Sequence, residues 1–283
     1  MYQPNITKFY ILKVITALEL TIAIFVLFLL ANNLSMTQVM ILETLFIIIV
    51  LSLEVPSGAF ADIWGRKVAI ALSLISMALA FVVFGLGTNF WVFLLAQVLA
   101  AIAWSLESGA DSALIYDSLK EMKQAKSYAK IWGRAGFIAL VTWSLSALIS
   151  GALATILGYQ MLFFLTGGIF FIGFLVTLTL KEPPQHKVIA KRQYWQHLKQ
   201  AITFAYHHTI VKNLIIYYGM FAALGHLTWF LIQPYYQGQP EYIIGIATFI
   251  YFITAGIGNL SAEQFIIRIK EQRLLLGLLL VAS

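Results

Sequence analysis

The stretch GAFADIWGRK, residues 58–67, sets one acid, two bases and two glycines between long apolar runs. Ahead of it stand FIIIVLSL (46–53) and, further upstream, IFVLFLL (24–30), windows that are apolar on every helical face. A helix in water keeps one polar face, so these windows have lipid as their solvent. The chain repeats the pattern, in apolar blocks of about 20 residues, the length that crosses a bilayer as a helix. Of its 283 residues 61% are hydrophobic and 11% charged. Lipid offers the backbone no hydrogen bonds, so each span must satisfy its own, and the fold class is all-α, a polytopic integral membrane protein.

Hydropathy and breaker residues put spans near 10–31, 37–60, 68–87, 90–116, 132–157, 159–180, 209–233 and 241–262, with a ninth starting near Leu274 and the sequence stopping at Ser283. The first run follows Lys8 and Lys13. It is longer than the apolar region of a signal peptide and ends without a small-x-small cleavage site, so it reads as a span.

The connections alternate in charge. Those around 32–36, 87–89, 158–160 and 234–241 hold no Lys or Arg, whereas the others carry Arg66 and Lys67, then Lys120, Lys123, Lys126 and Lys130, then Lys181 to Lys199, then Arg268 to Arg273. All 18 basic residues fit one topology, with the N-terminus and the basic connections in the cytoplasm; the membrane expected is the inner (cell) one. The net charge of +6 is therefore topological and does not point to nucleic acid. The absence of cysteine removes disulfides and thiolate metal sites, and no metal-ligand cluster stands out.

The break KEPPQHKVIAKRQYWQHLKQ (181–200) opens with Pro183 and Pro184, which stop a helix, and then resumes an amphipathic pattern with Trp195, Leu198 and Ile202. The expected organisation is a six-span N-terminal bundle over 1–180, a cytoplasmic linker with an amphipathic helix over 181–208, and a partial C-terminal bundle over 209–283, comprising two spans and the start of a third. Ala61-Asp62 before Arg66-Lys67 is echoed by Ala262-Glu263 before Arg268 and Lys270, the offset six-span repeats would give.

With this placement GAFADIWGRK resembles the loop between spans 2 and 3 of the major facilitator superfamily, roughly G-x-x-x-D-x-x-G-R-[KR], matched by Gly58, Asp62, Gly65, Arg66 and Lys67. LEVPSGAFAD, SALIYDSL (112–119), KIWGRAG (130–136) and KEPP are similar to a bacterial drug-efflux-like subgroup. The resemblance implies a twelve-span fold, of which this sequence carries eight spans and part of a ninth. It also implies that Gly58, Asp62, Gly65, Arg66, Lys67, Asp117 and Arg134 form a cytoplasmic latch whose ion pairs favour an outward-open state. The sequence departs at Ser105, where many proton-coupled members carry Arg, and in span 5, which lacks the Gly-Pro pair of drug antiporters.

A charge at the bilayer centre costs about 2.5–3.5 kcal/mol on insertion scales, so each buried acid calls for a role. Glu19, in ITALELTIAI, reads as a proton carrier or a counter-charge for a cationic substrate; the alternative is a protonated acid bonded to Thr16 or a neighbouring helix. Glu107 and Asp111, spaced i, i+4, share a face, which suits proton coupling or cation binding, while Asp111 also lies near enough to the cytoplasmic end to pair with a base such as Arg134. Glu43 reads as facing external water, and Glu54 as part of the cytoplasmic cluster. His226 sits mid-span in ALGHLTWFLIQPYYQ (223–237), either as a packing residue or as a proton relay. Trp104, Trp143 and Trp229 lie deep enough to stack on a lipophilic cation, although packing explains each as well. Trp91, Trp132, Trp195 and Tyr235-Tyr236 fit the interfacial belt.

The reading that results is a secondary transporter, an ion-coupled exporter of an amphipathic or cationic compound, with protons, a small-molecule substrate and the bilayer as partners. No GxxxxGK[ST] loop occurs, and neither HExxH nor GxSxG does, so the sequence points to no cofactor and no enzyme. The alternative is a non-transporting scaffold, sensor or truncated remnant, which the stop in the ninth span favours.

Overall fold

The computed structural model describes residues 2–184 and 203–268. Its long elements are helices: α1 (Gln3–Ala17), α2 (Phe25–Ala31), α3 (Met36–Trp64), α4 (Arg66–Leu86), α5 (Phe90–Glu107), α6 (Ala110–Glu121), α7 (Tyr128–Leu157), α8 (Tyr159–Leu178), α9 (Thr209–Tyr235) and α10 (Glu241–Arg268). Six stretches, Met36–Trp64, Arg66–Leu86, Phe90–Glu121, Ala125–Leu157, Tyr159–Leu178 and Val211–Tyr235, are long and apolar enough to cross a membrane. The chain is a multi-pass membrane protein. The linker helix expected within 185–202 and the ninth span from Leu274 lie outside the described residues.

Two expected spans are interrupted. The first is α1 followed by an irregular segment, 18–24, and then α2; it also starts earlier than hydropathy indicates, so Lys13 lies well inside the helix instead of ahead of it. The fourth is split at Ser108 and Gly109, where Gly109 takes φ +78° between α5 and α6. Glu107 and Asp111 are thus not neighbours on one continuous helix.

Elsewhere local chemistry sets the ends. Ser35 and Gln38 form a reciprocal capping box at the start of α3, and Asn89 accepts from the Trp91 and Val92 amides at the start of α5. Both caps lie at the end of the bundle that carries no base. At the opposite, basic end α3 turns into α4 at Gly65, whose φ of +104° is open to glycine and strained for other residues. Pro56 is accommodated inside α3, with the Glu54 carbonyl accepting from the Ser57 hydroxyl.

α4 packs between α5 and α8, α3 lies against α5, α1 against α7 and α8, and α10 runs along α7. The core is a cluster of aromatic rings. Phe28 and Phe163 have centroids 4.3 Å apart, Phe25 and Phe84 5.3 Å, and Phe28 and Phe93 5.7 Å, joined from α9 by Phe230 at 6.4 Å from Phe25. Between spans in lipid such close packing, rather than escape from water, drives association. It fixes α2 and the irregular segment that precedes it.

Candidate functional site

The irregular segment 18–24 opens onto a cavity of about 530 Å³, within the range of small-molecule sites. Residues from the first, second, third, fourth and fifth spans line it together with α9 and α10, so it lies between α1–α8 and the α9–α10 pair. Its walls are mostly aromatic: Phe25, Phe46, Phe81, Trp104, Trp143, Trp229 and Phe252. Trp104 meets Phe46 edge-on at 6.4 Å, and Trp143 faces Phe252 at 6.1 Å.

Two carboxylates reach this space. Glu19 lies at the start of the irregular segment, next to Leu18; its carboxylate accepts from the Thr21 hydroxyl at 3.1 Å, not from Thr16, and its carbonyl accepts from the buried Ser146 at 2.7 Å. Glu43 accepts from Gln97 Nε2 at 2.7 Å with one oxygen and lies 3.4 Å from His226 Nε2 with the other. Glu43 therefore lines the cavity where the sequence pattern placed it toward external water, because its turn of α3 faces the α5 residue Gln97. The His226 ring also lies tilted against Trp229 and Phe230, at 5.8 and 4.9 Å between centroids. The arrangement offers acid, amide and imidazole in contact with one another among rings, chemistry suited to an amphipathic cation and to a moving proton.

Glu107 and Asp111 are elsewhere. Both face Lys13, at 3.3 and 2.7 Å from its Nζ, between the first and fourth spans. Lys13 lies over the Phe9 and Trp132 rings at 5.6 and 5.8 Å. Asp111 pairs with Lys13 and not with Arg134, since Lys13 is inside the span.

At the basic end Arg66 pairs with the buried Asp117 and donates to the Ala113 carbonyl at 3.2 Å, tying α4 to α6. Glu182, just past α8, accepts the Arg66 and Lys67 amides at 2.8 and 2.7 Å and so caps α4. A Cβ at Gly65 would stand 3.2 Å from that carboxyl, a second reason for glycine there. Lys8 and Lys67 donate to the Thr179 and Leu178 carbonyls at the end of α8, and the buried Asn5 binds Ser118 and both backbone groups of Lys181. Asp62 and Arg134 are exposed and make no ion pair among the described residues, and a Cβ at Gly58 would meet nothing within 4 Å.

The structure thus brings Glu19, His226, Trp104 and Trp229 to one cavity and joins Arg66 with Asp117 in one ion pair, and it sets Glu107 and Asp111, which the sequence pattern grouped with Glu19, apart from both. The sequence pattern sends Glu43 to external water and Lys13 to the flank of the first span, and it passes over Gln97 and Glu182. For Glu182 a signal exists, an acid directly before Pro183-Pro184 at the end of a span; for Gln97 the only signal is an amide in an otherwise apolar run.

A family profile described as Major Facilitator Superfamily matches residues 9–283. Among curated proteins, Multidrug resistance protein MdtG of Enterobacter lignolyticus is 27% identical over 161 residues, 56% of this chain and 36% of that protein. Its namesake in Proteus mirabilis is 31% identical over 121 residues, 43% of this chain and 29% of that protein. Multidrug resistance protein 2 of Bacillus subtilis is 24% identical over 231 residues, 77% of this chain and 55% of that protein. The aligned part is thus about a third of the first two relatives and about half of the third.

Proposed function

Because the chain belongs to the major facilitator superfamily, we propose that it serves in a secondary transporter that exports an amphipathic or cationic small molecule in exchange for protons. The observation that carries this reading is the cavity itself, a space of drug-like size between α1–α8 and α9–α10 with Glu19, Glu43 and His226 set among tryptophans and phenylalanines. The relatives' names, multidrug resistance proteins, support the same class of cargo.

In this reading α1–α8 form the first, six-span half, and α9 and α10 belong to the second. The basic end faces the cytoplasm, a reading the distribution of Lys and Arg supports, and the chain sits in the inner membrane. Cargo competes with a proton for Glu43 and Glu19: a protonated Glu43 has no charge to offer a cation, so loading one expels the other. His226 meets Glu43 from the other half, and the pair links protonation to the separation of the halves.

The Arg66–Asp117 pair lies wholly within the first half, so it holds α4 on α6 and keeps the turn in shape. Asp62, exposed beside it, is the charge left to engage the second half, and Arg134 is likewise exposed. Lys13, Glu107 and Asp111 form a charge cluster of the first half, apart from the cargo.

The test is flux in proteoliposomes holding the full chain, with an imposed pH gradient and tetraphenylphosphonium as the probe. Gradient-driven movement that Glu43→Gln abolishes and Glu19→Gln reduces is the expected result. A parent protein that binds the probe in its cavity and moves none under either gradient polarity would instead establish the reading as a non-transporting membrane protein.

A further inference from the structure

The first span is not helical over 18–24, and side chains of other spans take four backbone groups in and beside this segment, while the Ile22 and Ile24 amides donate to the Glu19 and Thr21 carbonyls within it. The Leu20 amide donates to Thr166 and the Glu19 carbonyl accepts from Ser146, both within α1–α8. Ile22 and Val26 are different. In an uninterrupted helix the Val26 amide would donate to the Ile22 carbonyl. Here Gln233 of α9 stands between them: Val26 N–H donates to Gln233 Oε1 at 2.8 Å, and Gln233 Nε2 donates to the Ile22 carbonyl at 3.3 Å. One side-chain amide thus replaces the bond of one helical turn, acceptor for acceptor and donor for donor. Trp229, one turn earlier on α9, donates to the same carbonyl through Nε1 at 3.2 Å.

We propose that Gln233 is a positioning residue that shuts the outer mouth of the cavity, by completing the broken turn of the first span only while that span and α9 are together. The inference rests on the orientation and the two halves of the function proposed above, and adds to them the element that switches. Gln233 is fully buried, so no water stands ready to replace its partners. When α9 moves away, Ile22 and Val26 are left at the helical spacing and bond to each other, and that turn of helix closes. Both arrangements satisfy the Ile22 carbonyl and the Val26 amide and an intermediate one does not, which is what makes the element two-state. Glu19 lies at the start of the same segment and Trp229 lines the cavity, so cargo or a proton at either acts on this joint directly.

The chain has no cysteine, so a single introduced thiol reports without background. Ala100 lines the cavity, and Thr88 lies exposed in the turn after α4. The experiment measures labelling of Ala100→Cys by a membrane-impermeant maleimide added outside intact cells, with and without Gln233→Met, which keeps length and bulk but has no amide. The expected result is labelling faster on the order of tenfold, what the loss of one or two net hydrogen bonds does to a closed state. Trp229→Phe, which keeps a ring and removes one donor to Ile22, gives a smaller rise of roughly threefold, and it carries the test alone where Gln233→Met does not accumulate in the membrane. Unchanged labelling of Ala100→Cys in these variants overturns the clasp. Thr88→Cys must label from outside at the same rate in all of them; protection of Thr88→Cys overturns the orientation instead, so the two failures are distinct.

Discussion

Lys13 and Asp111 meet 2.7 Å apart inside the membrane span, with Glu107 at 3.3 Å on the other side of the same ammonium. The three side chains are 20%, 14% and 27% exposed, so water screens them little. One cation here holds two carboxylates, and removing it leaves both acids without a counter-charge. Lys13→Met should therefore destabilise by about 3–5 kcal/mol, the range for breaking a buried pair, read as a lower Tm in detergent. Asp111→Asn should cost less, since Glu107 keeps Lys13 paired. The triple variant Lys13→Met, Glu107→Gln, Asp111→Asn should recover most of the loss. A triple variant no better than Lys13→Met would assign the cost to lost packing over Phe9 and Trp132 and not to charge.

The cap that Glu182 places on α4 predicts a local effect. Its two oxygens take the Arg66 and Lys67 amides, which have no helical acceptor of their own. Glu182→Ala should leave both amides open and speed their hydrogen exchange by roughly 5–30-fold, equivalent to about 1–2 kcal/mol for a lost cap. Exchange in the middle of α4 should stay as it was. Glu182→Gln should fall between, because it keeps one acceptor and loses the charge that favours a helix N-terminus. Equal exchange at Arg66 and Lys67 in all three proteins would show that water caps the helix as well as the carboxylate does.

What the sequence makes visible follows from how local each cause is. The turn at residues 58–67 is legible because its glycines, acid and bases act within ten residues: Gly65 takes its positive φ and Arg66 begins the next helix. Most spans are legible because lipid demands long apolar runs. The break in the first span is not, since ITALELTIAI contains neither Gly nor Pro. Its causes are Ser146, Thr166, Trp229 and Gln233, between 127 and 211 positions away. The same distance hides the partners of Glu43 and Lys13: a carboxylate in an apolar run announces that it needs a partner, and only packing says which. Glycine at 109 does signal the other break, which an i, i+4 reading of Glu107 and Asp111 passes over.

The crossing of α7 and α10 gives a prediction of opposite signs. A Cβ at Gly151 would stand 2.5 Å from the Glu241 carbonyl oxygen and 2.9 Å from Gly245 Cα, and one at Gly245 would stand 2.7 Å from the Ala147 carbonyl. These contacts are backbone and cannot swing aside. Gly151→Ala or Gly245→Ala should force the helices apart and cost about 1–3 kcal/mol, as overpacking does. Gly168, inside α8, has nothing within 4 Å of such an atom. There Gly168→Ala should be neutral or stabilise by about 0.4–1 kcal/mol, by restricting the unfolded chain. Thermal melts of the three variants decide it: a Gly245→Ala protein as stable as Gly168→Ala would mean that the two helices do not pack at this crossing.

Finally, the cavity places three tryptophans, Trp104, Trp143 and Trp229, beside two carboxylates, so a bound aromatic cation should report its own arrival by quenching their fluorescence. Titrating the detergent-solubilised chain with ethidium should give saturable quenching. Glu43→Gln removes the charge that Gln97 and His226 hold in place and should raise Kd on the order of tenfold or more, the scale of a charged hydrogen bond or ion contact. Gln97→Leu keeps the charge but frees its direction, and should raise Kd by less. Trp229→Phe should lower the quenching amplitude, with only a modest effect on Kd because a ring remains for the cation. Lys13→Met serves as the contrast, since its partners Glu107 and Asp111 do not line this space. If Glu43→Gln bound ethidium as the parent does while Lys13→Met lost it, the cargo would belong at the Lys13 cluster and the large cavity would hold lipid.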